Sequence, residues 1–244
     1  MARASATATR ATARRNRNQM PRGVQGPVSS GDTNALAVSA PKNEIQHVSV
    51  TETVHLPAPR MRSAVSLEES LARRRSIREF LDRDLSWDDI GQLLWACQGV
   101  TDPEGLRTTP SAGALYALDV FVVTSSGVYR YHPEPHEVRP TVDRDVRRRL
   151  RRAVLDQDAL AAPCIVAIAG VEQRTARKYG DRAWRYVVLE AGHAAQNVLL
   201  QATALGLCAV PIGAFDDEEV RTILGASSQD QVLVLIPIGH GLAE

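Results

Sequence analysis

The spacing of apolar residues divides the chain downstream of residue 62 into helices and strands. Apolar residues at helical intervals, preceded by residues that cap helix N-termini, predict helices that begin at Ser66, Ser86, Asp143, Ala183 and Asp216. Short apolar runs bounded by turn residues predict strands over 118–124, 128–131, 163–170 and 232–238. This order of elements is typical of an α+β fold that packs helices around one sheet.

Two of these elements have distinctive apolar patterns. The run over 163–170 is apolar at every position but its Pro and Gly ends, which predicts a central strand buried on both faces. The pattern over 183–206 is apolar nearly all round, which predicts a buried helix that could lie between subunits.

The first 62 residues differ from the rest in composition. They are rich in Ala, Thr, Ser, Arg, Gly and Pro and show no apolar period, so we predict a disordered basic tail over 1–62 and one domain over 63–244. Residues 1–31 contain six arginines and no acidic residue. A transit peptide and an RNA-binding tail have similar compositions, although no aromatic residues are interleaved for base stacking.

Composition excludes several classes of protein. A net charge of +1 with 23% charged residues gives no global sign of nucleic-acid binding, and no apolar run is long enough to span a membrane. The three cysteines, Cys97, Cys164 and Cys208, lie far apart and without histidine partners. Neither a zinc site nor a disulfide framework is therefore predicted, and a reducing cytoplasm is the expected location.

Local charge is concentrated in the stretch Arg73–Phe80. It combines four arginines with Ser76, and guanidinium groups suit phosphate or carboxylate oxygens. One interpretation is a phosphate site for a small cofactor, formed by Arg74, Arg75, Ser76 and Arg78. The other is a solvated helix end, because basic residues favour helix C-termini.

Two further groups of residues have a functional and a structural interpretation. The arginines over 144–152 could contact nucleic acid or could simply form a solvated helix face. Glu190 and His193 have the i, i+3 spacing of a metal motif in helical bundles, but without a second such pair we favour polar residues paired in the core.

Two loops of small residues complete the candidate site. They are formed by Pro110, Ser111, Ala112 and Gly113, and by Val210, Pro211, Ile212 and Gly213. Small residues allow a backbone to approach a flat ligand closely. The glycine motifs of Rossmann and P-loop nucleotide sites are absent from the sequence.

Together these three stretches resemble the nitroreductase family of FMN-dependent oxidoreductases. The stretch at Arg74–Arg78 resembles that family's phosphate- and flavin-binding motif, and Pro110–Gly113 is similar to its second flavin loop. Val210–Gly213 is similar to the segment that lies against the isoalloxazine ring. The resemblance implies a nitroreductase-like fold with a mainly antiparallel sheet flanked by helices, and an interlocked homodimer with FMN at the interface. At the C-terminal end only His240 could add a basic group to the phosphate site.

Within that family the chain is most similar to the SagB-type thiazoline/oxazoline dehydrogenases. The similarity lies in Thr109–Tyr116, in Leu189–Asn197 and in Lys178-Tyr179-Gly180. It implies that Lys178 and Tyr179 are the catalytic pair in oxidising azoline rings of a peptide to azoles, with a cyclodehydratase complex as a possible partner. Lys178 is the only lysine after Lys42. The structural alternative is a surface lysine beside a tyrosine that packs on Trp184.

Two other functions stay open at this point. The first is a nitro- or quinone reductase of the same fold that is supplied by NAD(P)H. The second is an inactive flavin-binding scaffold in a peptide-modifying complex. In every case we expect FMN as cofactor, no metal and no nucleic acid.

Overall fold

The computed structural model describes residues 52–154 and 161–242. Seven strands form the sheet: β1 Val54–His55, β2 Leu118–Thr124, β3 Gly127–His132, β4 Glu137–Val142, β5 Cys164–Gly170, β6 Cys208–Ala209 and β7 Gln231–Gly239. Six helices accompany it: α1 Leu67–Arg73, α2 Trp87–Gln98, α3 Arg147–Ala153, α4 Glu172–Tyr179, α5 Ala183–Ala204 and α6 Asp217–Ile223. Short 3-10 turns lie at Ala112–Ala114 and Gly180–Arg182.

The sheet has the strand order β1-β4-β3-β2-β5-β7-β6, and each named pairing is antiparallel. Central strand β5 is buried along its whole length, as its apolar run predicted. It pairs with β2 through Val120 and Ile168 and with β7 through Val166 and Ile236. The predicted antiparallel sheet with flanking helices is therefore confirmed.

Alternate residues of β5 enter two separate cores. Val166 and Ile168 pack with apolar residues of α2 and α5, whereas Ile165 and Ala167 pack with those of α3 and α6. The sheet thus lies between two layers of helices. Each large apolar side chain buried in these layers contributes about 1.5–3 kcal/mol to stability.

The predicted helix starts are confirmed at three capping residues. Ser66 Oγ accepts from Glu69 N–H at 3.1 Å, and Ser86 Oγ accepts from Asp89 N–H at 3.2 Å. Asp216 Oδ1 accepts from Glu219 N–H at 2.8 Å. Each bond satisfies a backbone donor that the helix leaves unpaired, which is worth about 1 kcal/mol.

Helix α3 begins four residues later than predicted. Asp145 Oδ1 accepts from Arg147 N–H at 3.0 Å, a local turn that competes with helical geometry. The helix therefore starts at Arg147 rather than Asp143.

Strand β4 and helix α4 are among the elements that had no signal in the apolar pattern. Strand β4 is polar along much of its length and contains Pro140, and α4 is strongly charged with only Thr175 buried. Neither presents the apolar face that periodicity detects. Among the helices that the structure describes, none combines the length and the hydropathy needed to cross a membrane.

The folded chain also begins upstream of the predicted start at residue 63. Val54 pairs with Val138 of β4, and Leu56 is buried in the core. Leu56 N–H donates to His136 O at 3.0 Å. This short extended segment was too brief to give a pattern. The tail prediction for residues 1–51 concerns residues outside the described part of the chain.

Candidate active site

The predicted catalytic pair lies against the predicted flavin loop. A Cβ atom placed on Gly113 would be 2.6 Å from Lys178 Nζ and 2.9 Å from Tyr179 OH. Gly113 has a φ of +64°, a conformation that residues with a side chain rarely adopt. The backbone conformation therefore favours glycine at this position, and a side chain here would displace the two functional groups beside it.

Helix α4 and its C-terminus place the pair. Lys178 and Tyr179 are its last two residues, and Gly180 ends the helix with a φ of +50°. The Tyr179 ring packs on Tyr186 of α5 with centroids 4.7 Å apart, and Lys178 Nζ lies 5.6 Å from the Tyr179 ring centroid. The observed ring contact of Tyr179 is thus with Tyr186 and not with the Trp184 of the structural alternative. Lys178 itself is exposed in this chain.

The loop at Ser111–Tyr116 holds a strained backbone. Ala114 and Tyr116 have φ angles of +53° and +48°, close after Gly113. Such left-handed residues cost about 1–2 kcal/mol each unless glycine occupies the position. Strain of this kind persists only where surrounding contacts fix it, and it concentrates at functional sites.

A buried acid holds this loop. Ser111 Oγ donates to Glu190 Oε2 of α5 at 2.6 Å, and Tyr116 N–H donates to Ser111 Oγ at 2.9 Å. Ala117 N–H and Gln98 Nε2 also donate to Glu190, each at 3.5 Å. Burial raises the pKa of Glu190, and the hydrogen bond from Ser111 opposes that rise. The sequence indicated Glu190 as part of a helical pair with His193 and within the stretch Leu189–Asn197 of the family resemblance, but it gave no sign of its contact with the loop.

The start of the loop is anchored separately. Thr109 is buried, and its hydroxyl donates to Cys97 O at 2.6 Å while accepting from Asn197 Nδ2 at 3.1 Å. Helices α2 and α5 thus fix both ends of the loop. We call Pro110–Tyr116 together with Lys178 and Tyr179 the loop half-site.

The other two predicted stretches also meet. Ser76 forms a parallel bridge with Ala209, and Ile77 N–H donates to Ala209 O at 3.1 Å. Nearby, Leu81 N–H donates to His240 O at 2.8 Å, which brings the C-terminal segment beside the arginine stretch. We call Arg74–Arg78 together with Val210–Gly213 the arginine half-site.

Within this half-site Ile212 has an anchoring role. Its side chain is buried, and its backbone exchanges hydrogen bonds with Leu235 of β7 at 2.8 and 2.9 Å. Pro211 and Gly213 on either side are exposed. These two exposed neighbours, rather than Ile212, are available to a ligand.

Some arginines of the stretch Arg73–Arg78 form contacts of a solvated helix end, and others are available for a phosphate site. Arg73 pairs with Glu69 at 2.7 Å on the exposed side of α1, and one nitrogen of Arg75 donates to Ala72 O and Arg74 O at 2.9 and 2.8 Å. Those contacts are typical of a capped helix end. Arg74 and Arg78 form no ion pair within residues 52–154 and 161–242. Among the described residues, no carboxylate engages their guanidinium groups, which are therefore candidates for binding an anion.

No hydrogen bond or ion pair joins the two half-sites among the residues that the structure describes. For the metal hypothesis, Glu190 is buried whereas His193 is exposed, so they do not pair in the core as predicted. The described residues contain no cluster of three or more potential metal ligands.

Comparison with known sequences gives one family. The model of the nitroreductase family matches residues 71–240. A protein of Methanocaldococcus jannaschii that carries the name putative nitroreductase MJ1384 is 43% identical to this chain over 183 residues. The match covers 72% of this chain and 91% of that protein. The trifolitoxin operon protein TfxC of Rhizobium leguminosarum bv. trifolii is 25% identical over 206 residues, covering 75% of this chain and 57% of that protein.

Comparison with solved structures agrees. A crystal structure from Ralstonia eutropha JMP134, also assigned to the nitroreductases, has a TM-score of 0.72 at 25% identity, covering 80% of this chain and 92% of that one. A chain of the Escherichia coli microcin synthetase McbBCD complex with truncated pro-MccB17 bound has a TM-score of 0.61 at 22% identity. The match covers 86% of this chain and 85% of that one.

Proposed function

This chain belongs to the nitroreductase family of oxidoreductases, and on that premise we propose that it is an FMN-dependent dehydrogenase that oxidises azoline rings in a peptide to azoles. The observation that carries the proposal is the convergence of Lys178 Nζ and Tyr179 OH on Gly113. A proton-accepting pair beside a loop of small residues is what the dehydrogenation of a flat ring requires.

The residues of the arginine half-site fit an FMN phosphate. Arg74 and Arg78 have no carboxylate partner within the described residues, and Ser76 adds a hydroxyl between them. Each charge-assisted hydrogen bond to a phosphate contributes about 1.5–3 kcal/mol. The exposed Pro211 and Gly213 offer a small, close surface for a flat ring.

Aromatising an azoline removes a hydride and a proton from adjacent ring carbons. Oxidised FMN, when bound, supplies the hydride acceptor. The chain itself supplies the base: Lys178 or Tyr179 takes the proton from the neighbouring carbon. The strained loop that Glu190 holds in place fixes the ring beside that base.

A second copy of the chain would complete the site. The outward faces of α1 and α5 expose Leu67, Leu71 and Leu189 at 61%, 53% and 52% of their surface. Apolar side chains on adjacent helices are typical of an interface core. In such a homodimer the arginine half-site of one chain would face the loop half-site of its partner.

The proposed substrate is a peptide. The microcin synthetase complex is named with its bound precursor, and TfxC is named for a toxin operon. Both names support a role in peptide modification. We accordingly propose that this chain is cytoplasmic and acts on a peptide ring that a cyclodehydratase complex has formed.

A nitro- or quinone reductase is the second candidate. It is favoured by the 43% identical relative, whose name gives that activity. In that reaction NAD(P)H would donate the hydride, and the protein would need no base beside Gly113.

One set of measurements separates these functions. The purified protein should show a flavin spectrum and remove two hydrogens from a thiazoline or oxazoline peptide, as followed by mass spectrometry. Lys178→Ala and Tyr179→Phe should lower that rate about 10²–10⁴-fold while the flavin stays bound. Arg177→Ala, an exposed neighbour on α4, is the matched control.

Other outcomes would decide against the proposal. Nitroarene reduction by NAD(P)H without azoline oxidation would identify the second candidate. Bound flavin without any turnover would indicate an inactive flavin-binding scaffold. Failure to bind FMN would contradict the dehydrogenase, the reductase and the scaffold alike.

A further inference from the structure

A cavity of about 350 Å³ opens beside the loop half-site. It lies between β2, β3, α4 and the loop that follows α2. We call it the Tyr116 pocket. The residues that give it its character are Gln98, Arg107, Tyr116, Asp119, Arg130 and Arg174.

Positive charge is in excess in this pocket. Its wall contains three arginines and a single carboxylate, Asp119. Arg130 donates to Asp119 at 2.7 Å, and Arg174 donates to both of its oxygens at 2.8 Å. Both oxygens of Asp119 therefore accept hydrogen bonds from Arg130 and Arg174, and Asp119 does not pair with the third arginine.

Burial lowers the pKa of Arg107, whereas the charges of Tyr116, Glu190 and Glu134 oppose that shift from a distance. Neither glutamate forms an ion pair with Arg107 among the described residues. Burial, then the charges of Arg139 and Arg130, lower the pKa of His132. Burial and the neighbouring Asp119 carboxylate raise the pKa of Asp230, which disfavours a second negative charge beside Asp119.

Arg107 is the third guanidinium, and it has no carboxylate partner among the described residues. It lies over the Tyr116 ring at 4.3 Å from the centroid and donates to Gln98 Oε1 at 3.1 Å. Its Nε is buried without a hydrogen-bond partner. Because arginine stays charged in proteins, a half-buried, unpaired guanidinium costs free energy that a bound anion would offset.

The pocket shares its walls with the proposed catalytic pair. Arg174 lies one helical turn before Lys178 on α4 and donates to Tyr116 O and Leu118 O, each at 3.3 Å. Tyr116 ends the strained loop that begins beside Gly113. A ligand held at Arg107 would therefore extend toward the place where Lys178 and Tyr179 act.

We propose that the Tyr116 pocket binds an oxyanion, a carboxylate or a phosphate group, carried by the molecule that reacts at the loop half-site. The identity of that molecule and its reaction at the loop half-site rest on the proposed function, whereas binding of an oxyanion in the pocket does not. If the substrate is a peptide, the oxyanion is an acidic side chain or a terminal carboxylate. If it is a nicotinamide dinucleotide, the oxyanion is a phosphate.

The test is calorimetric titration of the full chain, saturated with FMN, with acetate and with inorganic phosphate. We expect saturable binding by the wild-type protein and by Arg149→Gln, which removes an exposed arginine of α3. Arg107→Gln should weaken binding at least tenfold, and Arg107→Lys should recover part of the loss. Tighter acetate binding would support a peptide source, and tighter phosphate binding a dinucleotide source.

Two results would overturn the inference: no saturable binding of either anion to the wild-type protein, or equal affinity in wild type and Arg107→Gln. If Arg107→Gln does not fold, Arg130→Gln tests the same pocket, because Asp119 keeps its pairing with Arg174. If FMN does not bind, the proposed function is contradicted, but the anion site can still be tested. The titration is then made on the Arg74→Gln/Arg78→Gln protein, so that the arginine half-site does not bind the anion in place of the Tyr116 pocket.

Discussion

Gly113 and Lys178 lie 65 positions apart in the chain, yet a single methyl group on the glycine would collide with the lysine ammonium group at 2.6 Å. The contact joins the loop before β2 to the last turn of α4, the helix that follows central strand β5. It is the point at which two separate sequence signals become one site.

Gly113→Ala should therefore damage both the fold and the reaction. We expect a loss of about 1–2 kcal/mol from the left-handed backbone alone, and a loss of azoline oxidation because Lys178 and Tyr179 are displaced. Urea unfolding and turnover assays measure the two effects. Gly206→Ala is the control, since Gly206 has a φ of +71° with nothing within 4 Å of its Cβ position. Equal activity losses in both variants would contradict a local role for Gly113.

Ser111→Ala should release the strained loop. The substitution leaves buried Glu190 without its shortest hydrogen bond, at 2.6 Å, and should lower the free energy of unfolding by about 1–3 kcal/mol. Ser125→Ala removes a hydroxyl that donates to exposed Asp84 at 2.9 Å, and should cost less than about 1 kcal/mol. If Ser125→Ala is the more damaging variant, Glu190 does not anchor the loop.

Glu190 should make stability depend on pH. Burial raises its folded-state pKa above the ordinary value of 4.5, so the folded chain holds this proton more tightly than the unfolded chain. The stability it contributes is complete below pH 4.5 and is lost as the pH rises through the raised folded pKa. Glu190→Gln should remove that part of the pH dependence of unfolding, whereas exposed Glu104→Gln should retain it. An unchanged slope in Glu190→Gln would contradict the assignment.

Arg74 and Arg78 should determine FMN affinity. Replacing either with Gln should raise the dissociation constant about ten- to a hundredfold, as expected for one charge-assisted hydrogen bond. Arg73→Gln should leave it unchanged, because Arg73 already pairs with Glu69. Quenching of flavin fluorescence measures all three. A loss in Arg73→Gln as large as in the other two would favour a general charge effect over a specific site.

The sequence predicted most of the fold because the relevant residues are apolar and regularly spaced. The fully buried β5 and the helix caps at Ser66 and Ser86 followed directly from pattern and chemistry. Strand β4 and helix α4 did not, since their side chains are mainly polar and tertiary contacts hold them in place.

The candidate site could be predicted only in part. The family resemblance identified Lys178 and Tyr179 as the candidate catalytic pair. Helix α4, which contains them, showed no apolar periodicity. Glu190 and Arg107 were not assigned a role in the site, because a buried polar residue is recognised by its partners, and those lie far away in the chain. The pairing of Ser76 with Ala209 is likewise a long-range contact without a local signal.

The division of the proposed site into two half-sites has a genetic consequence. If a second copy completes each site as proposed, a subunit that lacks Arg74 and Arg78 and a subunit that lacks Lys178 are each inactive as homodimers. Their mixed dimer carries one doubly damaged site and one intact site. Two inactive alleles expressed together would then restore each other's activity.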